Sequence, residues 1–393
     1  MGMASFYLRA ACSMLPLADV RTHREQEDGQ TSWTSTDGSK AEGLGYNARS
    51  AEAEMAGSNP KMILSVDGGG VRGIIPLACL VRLESKLGKP CREIFSLAAG
   101  TSTGAVIAAG AALGVSARGL MALYRDLAKQ AFQRLPWWQV LLNGGHHRYR
   151  LEFIARILDE MGAQVPLNDL PIDVLITAKN TATSRTDFFV RDRAGNASRW
   201  GRLSLRDAVL ASVAAPTYFP PHQAVYEGED YVWVDGGVGV AGNPCFQAAV
   251  EAIHFSDGAY EPGAVRLLTF GTGRSPHAID APRANILQWA AWVLSELLED
   301  AGDWQTYITR REYGLTGRID FRRYQLDLTN EVMNLLGVHL PPGVDGGAIG
   351  MDAVWAIELL EQIGRAFADR IDFDDPAGLD LGASSYPYAR RLP

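Results

Sequence analysis

Two side chains that lie far apart in this sequence have the types needed for acyl transfer. Ser102 is the centre of Gly100-Thr101-Ser102-Thr103-Gly104, which follows an apolar run over 94–99 and precedes a helical pattern over 103–113. A strand, a G-x-S-x-G turn and a helix hold a serine on a sharp bend with its hydroxyl exposed. The sequence therefore predicts Ser102 as a nucleophile, with Gly100 and Gly104 allowing chain segments to approach closely.

A serine hydroxyl is a weak nucleophile until a base accepts its proton. Asp235 directly follows a predicted strand, Tyr231–Val234, and is followed by Gly236 and Gly237. Sites in open α/β sheets form outside the carboxyl ends of the strands, so Asp235 is expected near Ser102. Partial burial should raise the pKa of this carboxyl and make it a better base.

Two other features compete with this interpretation of Asp235. A second Asp-Gly-Gly begins at Asp345, but it follows a Pro-Pro-Gly loop and is predicted to be a turn. A Ser-Asp-His triad is the alternative to a Ser-Asp dyad, and His254, His277 and His339 follow Ser102 in the required order. None of these histidines lies in a recognisable motif, so the sequence favours the dyad.

A glycine loop, Asp67-Gly68-Gly69-Gly70-Val71-Arg72-Gly73, lies between a predicted strand at 61–66 and a predicted helix at 74–87. G-x-G-x-x-G in this position resembles a dinucleotide-binding turn, which would make the chain an oxidoreductase. That turn needs an acidic residue at the end of the next strand, whereas Ala99 and Gly100 stand there. The same backbone can form an oxyanion hole, because Gly68 to Gly73 open a helix N-terminus. Arg72 is expected either to balance Asp67 or to approach a phosphate.

Alternating apolar strands and amphipathic helices predict an α/β fold with three layers around a mostly parallel sheet. Strands are expected at 61–66, 94–99, 172–178, 186–191, 231–234 and 265–270, and helices at 74–87, 103–113, 116–133, 149–161, 204–214 and 244–254. We expect residues 1–59 to be a disordered extension, because they are polar and lack a sustained period. Residues 60–283 are expected to form the catalytic domain. Residues 284–393 are expected to be a mostly helical C-terminal part packed on that domain, with helical spacing over 284–301 and 351–371.

The composition narrows the class of partner. A net charge of −8 disfavours a nucleic-acid polymer, which would need a basic stripe. No run approaches the ~20 apolar residues of a spanning helix, and the N-terminus lacks the features of a secretion signal, so a cytoplasmic location is expected. No metal or organic cofactor is implied.

Four segments in order resemble the patatin-like phospholipase family: DGGGVRG at 67–73, GTSTG at 100–104, AAPTYFPP at 214–221 and DGGVGVAGNP at 235–244. The last is slightly longer than is common in the family and is similar to a bacterial branch. The resemblance implies a three-layer patatin-like fold with C-terminal helices, and a lipid acyl hydrolase using Ser102 and Asp235. It also implies that the amides of Gly69, Gly70, Val71 and Arg72 bind the oxyanion. AAPTYFPP, which has no obvious chemical group, is interpreted as structural.

The substrate implied by the resemblance is a phospholipid or another acyl-ester lipid. Two alternatives stay open: an antiviral-defence phospholipase activated by a nucleotide signal, as in some stand-alone bacterial relatives, and a catalytically idle lipid-binding scaffold. Trp137 and Trp138 within 135–142 are equally suited to transient contact with a membrane surface and to core packing. The sequence leaves the head group, the acyl position and the oligomeric state open.

Overall fold

A sheet of nine strands lies at the centre of the computed structural model, which describes residues 60–131, 149–275 and 281–382. The strands follow the spatial order β5-β6-β3-β2-β1-β7-β8-β9, and β4 pairs with β3 outside this path. They are β1 (Lys61–Val66), β2 (Phe95–Gly100), β3 (Asp173–Asn180), β4 (Thr186–Val190), β5 (His222–Tyr226), β6 (Glu229–Asp235), β7 (Val265–Phe270), β8 (Asp320–Leu326) and β9 (Leu379–Leu381).

Six neighbouring strands, from β3 to β9, run parallel. Parallel strands are covered on both faces and therefore need apolar side chains in both directions. Along β1, Leu64 and Val66 pack into one hydrophobic core, while the preceding residue Ile63 packs into a second core. The predicted three-layer α/β fold with a mostly parallel sheet is confirmed.

Helices cover both faces of this sheet. In chain order they are α1 (Ile74–Leu87), α2 (Cys91–Ile94), α3 (Thr103–Leu113), α4 (Ala117–Ala131), α5 (Glu152–Glu160), α6 (Leu205–Val213), α7 (Cys245–His254), α8 (Ile286–Thr309), α9 (Asn330–Leu336) and α10 (Ile357–Arg370). The larger core contains α1, α3, α6 and α10, whereas α7 packs with β1, β2 and β7 in the smaller one.

Strands β5, β8 and β9 were not expected from the sequence. In β8, Asp320-Phe321-Arg322-Arg323-Tyr324-Gln325-Leu326 lacks the apolar run that indicates a buried strand. Ion pairs make this composition compatible with burial, since Arg322 pairs with Asp320 and Arg323 pairs with Asp67. A polar central strand of this kind is recognisable only once its distant partners are known.

The C-terminal part also differs in where its last long helix begins. The apolar spacing predicted helix from residue 351, but α10 begins at Ile357. A short 3-10 helix, Val354–Ala356, precedes it, and before that helix the carbonyl of Met351 accepts a hydrogen bond from the Val71 N–H (2.8 Å). The described part of the chain contains no helix that is both long enough and apolar enough to cross a bilayer.

Candidate active site

Ser102 lies at a strained bend between β2 and α3. Its backbone has φ 55° and ψ −122°, a conformation that is costly for a residue with a Cβ. The flanking glycines make the bend possible: a Cβ on Gly100 would lie 2.1 Å from the Gly104 carbonyl oxygen, and one on Gly104 would lie 2.1 Å from the Val66 carbonyl oxygen. Both contacts are far inside van der Waals distance, so the spacing G-x-S-x-G is a steric requirement here.

Asp235 is the carboxylate beside this serine. It is buried, its Oδ1 accepts the Gly237 N–H (2.8 Å), and the Ser102 side chain lies close enough to lower its pKa. Burial raises the pKa of Asp235 to about 6, although these two contacts act in the opposite direction. No Lys, Arg or His among the described residues forms an ion pair with it. The structure therefore brings together the two side chains predicted as nucleophile and base.

The route by which Asp235 arrives differs from the one assumed in the sequence argument. Strand β6 runs antiparallel to β3, and only its last three residues pair with the end of that strand, with Asp235 opposite Ala178. Asp235 thus reaches the carboxyl edge of the parallel strands at the end of an antiparallel strand of the same sheet. The chain then turns at Gly236. Only glycine fits there, because a Cβ would lie 2.4 Å from the Thr177 carbonyl oxygen.

The glycine loop meets both segments. The Gly68 N–H donates to the Gly242 carbonyl (2.9 Å), and a Cβ on Gly68 would lie 3.3 Å from the Ser102 Cβ. Gly73 is equally constrained, since its Cβ would lie 2.5 Å from the Thr103 Oγ1. Three stretches that are distant in the sequence therefore converge on one edge of the sheet.

The four amides expected to face an oxyanion are not equivalent. The Val71 N–H donates to the Met351 carbonyl (2.8 Å), and the Arg72 N–H donates to the Gly69 carbonyl (3.2 Å) within a short 3-10 helix, Gly70–Gly73. Among residues 60–131, 149–275 and 281–382, no acceptor contacts the N–H groups of Gly69 and Gly70. The expected set of four donors is thereby reduced to these two.

Asp67, at the start of the loop, has a different role from a base. Arg323 donates to both of its carboxylate oxygens, with Nη1 2.8 Å from Oδ1 and Nη2 2.5 Å from Oδ2. The arginine observed on Asp67 is thus Arg323, while the Arg72 Nη1 donates to the Ser275 Oγ (2.7 Å). Arg323 was missed because it lies on the unrecognised strand β8.

Ser212, near the end of α6, is a second residue that the sequence argument missed. Its buried Oγ accepts a hydrogen bond from the Ser102 N–H (2.9 Å). A signal was available, since Ser212 stands two residues before the segment AAPTYFPP. AAPTYFPP itself has no obvious chemical group and predicts only a structural role, so the sequence analysis does not include the neighbouring Ser212.

The histidines described by the structure have partners other than Ser102. His222 contacts Asp207 (3.1 Å) and His254 contacts the Tyr313 hydroxyl (3.1 Å), while His339 is exposed. His277, Trp137 and Trp138 lie outside the described residues. Within the described ranges, no group of three or more His, Cys, Asp or Glu side chains is arranged to hold a metal ion.

Comparisons with known proteins point to one family. Residues 64–249 match the family model for patatin-like phospholipase. The chain is 36% identical to a cGAMP-activated phospholipase of Vibrio cholerae over 48% of this chain and 56% of that protein. It is 32% identical to a cGAMP-activated phospholipase of Escherichia coli over 58% of this chain and 67% of the other. It is 24% identical to Patatin-17 of Solanum cardiophyllum over 67% of this chain and 75% of that protein.

The fold, the site and these similarities define a patatin-like α/β protein. The chain belongs to the patatin-like phospholipase family, whose members hydrolyse esters. It spans little more than half the length of the V. cholerae relative, 56%.

Proposed function

We propose that this protein hydrolyses the acyl esters of lipids, with Ser102 as nucleophile and Asp235 as its base. One observation carries the proposal: a serine on a strained turn lies beside a buried carboxylate whose pKa it influences and that has no cationic partner among the described residues. A carboxylate neutralised by an arginine would be a poor proton acceptor. Asp235 instead has a pKa raised to about 6 by burial, which brings its basicity close to that needed near neutral pH.

In the first step the Ser102 Oγ forms a bond to the ester carbonyl carbon, and its proton passes to the Asp235 carboxylate. The carbonyl oxygen becomes an oxyanion, which accepts hydrogen bonds from the N–H groups of Gly69 and Gly70. These donors are held in place before the substrate binds, which is how such sites lower the barrier. The bond to the alcohol then breaks, and Asp235 returns its proton to the departing oxygen.

The second step removes the acyl group from Ser102. Water attacks the acyl carbon while Asp235 accepts one of its protons, and the same amides again hold the oxyanion. Collapse breaks the bond to Ser102, which recovers its proton from Asp235 as the fatty acid leaves. The cycle is balanced by one water and requires no metal or cofactor.

The experiment is a comparison of wild type with Ser102→Ala on a short soluble ester and on phospholipid vesicles. Removal of the nucleophile should lower kcat by roughly 10³-fold or more. A fluorophosphonate probe should label wild type and leave the alanine variant unlabelled. Equal hydrolysis by both proteins would contradict the proposal. An unlabelled wild type that binds vesicles without hydrolysis would favour the idle lipid-binding scaffold.

A second candidate concerns activation. The names of two relatives describe them as cGAMP-activated phospholipases. We infer that this chain is likewise switched on by a nucleotide signal, in keeping with a role in antiviral defence. Hydrolysis of vesicles should rise at least tenfold when cGAMP is added, with AMP as the control. Full hydrolysis without any nucleotide would contradict activation while leaving the esterase proposal intact. The cytoplasmic location stays a prediction.

A further inference from the structure

The end of α6 contacts both halves of the proposed dyad. The Ser102 N–H donates to the Ser212 Oγ (2.9 Å), and the Asp235 N–H donates to the Ala214 carbonyl (3.0 Å). The two acceptors are only two residues apart, whereas one donor lies in the bend after β2 and the other at the end of β6. One short segment therefore holds the backbone of the nucleophile and the backbone of its base at once.

We propose that Ser212–Ala214 is a clamp that sets the distance between the Ser102 hydroxyl and the Asp235 carboxylate, with Ser212 as a positioning residue. This inference rests on the proposed function, because it assigns a role relative to the Ser102 and Asp235 reaction. It also gives the segment around AAPTYFPP a purpose beyond packing.

The clamp is anchored in the larger hydrophobic core. Helix α6 begins at a Ser204 cap, whose Oγ accepts the Asp207 N–H (3.0 Å), and it packs on β3, β6 and α3. At its other end Ala215 donates to the Val213 carbonyl (2.8 Å), and Pro216 follows. Proline cannot continue a helix, so the chain leaves α6 immediately after the two acceptors. The acceptors are thus fixed relative to the sheet.

The hydrogen bond to Ser212 matters because of the backbone that it holds. Ser102 has a φ of 55°, and strained conformations of this kind persist only where the surroundings determine them. Deleting the Ser212 hydroxyl would leave the Ser102 N–H without this acceptor and allow the bend to relax. A displacement of about 1 Å in a reacting group can cost roughly 100-fold in rate. Substrate contacts need not change.

Ser65 provides a matched control for a buried serine. It is fully buried on β1, like Ser212, but its Oγ has no hydrogen-bond partner among the described residues. Ser65→Ala therefore removes a core hydroxyl without breaking a hydrogen bond. Any general effect of deleting a buried hydroxyl should appear in this variant as well.

The test compares wild type, Ser212→Ala, Ser212→Thr and Ser65→Ala on a soluble ester, with thermal unfolding to check folding. Ser212→Ala should lower kcat by about 10- to 100-fold and leave KM within about twofold. The acid limb of kcat/KM should move to higher pH, because the Ser102 side chain lowers the pKa of Asp235. Ser212→Thr keeps the hydroxyl and should recover most of kcat, while Ser65→Ala should match wild type.

A kcat within twofold of wild type in Ser212→Ala, an unmoved acid limb, or an equal loss in Ser65→Ala would each overturn the clamp. If the alanine variant does not fold, Ser212→Cys takes its place. A thiol is a weaker acceptor of similar shape, so a loss of kcat in the same direction is expected. The rate at which a fluorophosphonate labels Ser102 should fall in parallel and does not require turnover. Labelling without ester hydrolysis in wild type would count against the proposed function and would still report on the clamp.

Discussion

Two Asp-Gly-Gly segments in this molecule follow strands and place a buried carboxylate at the same edge of the sheet. Asp67 follows β1 and Asp235 ends β6, and each has less than a tenth of its surface exposed. Their partners differ completely. Asp67 is held by both terminal nitrogens of Arg323, whereas Asp235 contacts a hydroxyl and a backbone amide.

This difference shows that neither the local sequence nor burial determines the role of a carboxylate. Burial raises the pKa of Asp67 as well, but the guanidinium of Arg323 acts against this shift and occupies both carboxylate oxygens. Asp67 therefore ties the glycine loop to β8. At Asp235 no cation opposes the effect of burial, which makes the charged form less stable and the group more basic.

The largest expected effect is the loss of activity when the carboxylate of Asp235 is removed. Asp235→Asn should lower kcat by roughly 10³-fold or more, since the variant lacks the proton acceptor. In wild type, kcat/KM should fall as the pH drops below about 6, where Asp235 becomes protonated. Both follow from assays of a soluble ester across pH.

Asp345→Asn is the control, because it makes the same change in an Asp-Gly-Gly turn where the side chain only caps the Gly347 N–H (2.9 Å). It should leave kcat within about twofold of wild type. Retained activity in Asp235→Asn would remove the distinction between the two carboxylates and favour a histidine as the base.

Asp67, unlike Asp235, should matter for stability through its arginine partner. Arg323→Leu leaves Asp67 buried without its partner, which should lower the free energy of unfolding by about 3–5 kcal/mol in urea titrations at pH 7. Arg82→Leu is the control, because its pair with Asp369 (2.9 Å) is largely exposed and such pairs contribute at most about 1 kcal/mol. If the free energy of unfolding falls by a similar amount in the two variants, the buried pair contributes no more to stability than the exposed one.

The smallest effect concerns the cost of keeping Asp235 as a base. Its pKa in the folded state, about 6, lies above the ordinary value of 3.8. Between about pH 4 and pH 6 the folded protein therefore binds a proton that the unfolded chain has released. Proton binding by Asp235 stabilises the fold at low pH, and this contribution is lost as the pH rises through that window. At pH 8, Asp235→Asn should raise the free energy of unfolding by up to about 3 kcal/mol.

Near pH 4 the same variant should show almost no gain, because the carboxyl is then neutral in the folded protein. Urea unfolding at the two pH values measures the difference. An equal gain at pH 4 and pH 8 would point to a packing effect instead of the removal of a buried charge.

The features that could be predicted from the sequence are those determined within a few residues. Gly100 is required by its contact with Gly104 within the same turn, and the bend is recognisable as G-x-S-x-G. Strands β1 and β2 could also be predicted. A strand that is buried on both faces consists of a continuous apolar run, which is recognisable in the local sequence. Asp235 lies at the predicted end of a strand, but the antiparallel direction of β6 is not visible in the local sequence.

Only the tertiary structure decided which groups these residues meet. The pairing of Asp67 with Arg323, the acceptor that Ser212 offers to Ser102 and the contact of Met351 with the glycine loop all join segments more than 100 residues apart. Backbone sterics depend on neighbours in the chain, whereas the charge, proton affinity and free donors of a site depend on neighbours in space. The sequence by itself therefore determined where the nucleophile turns, and the fold determined which carboxylate is left able to take its proton.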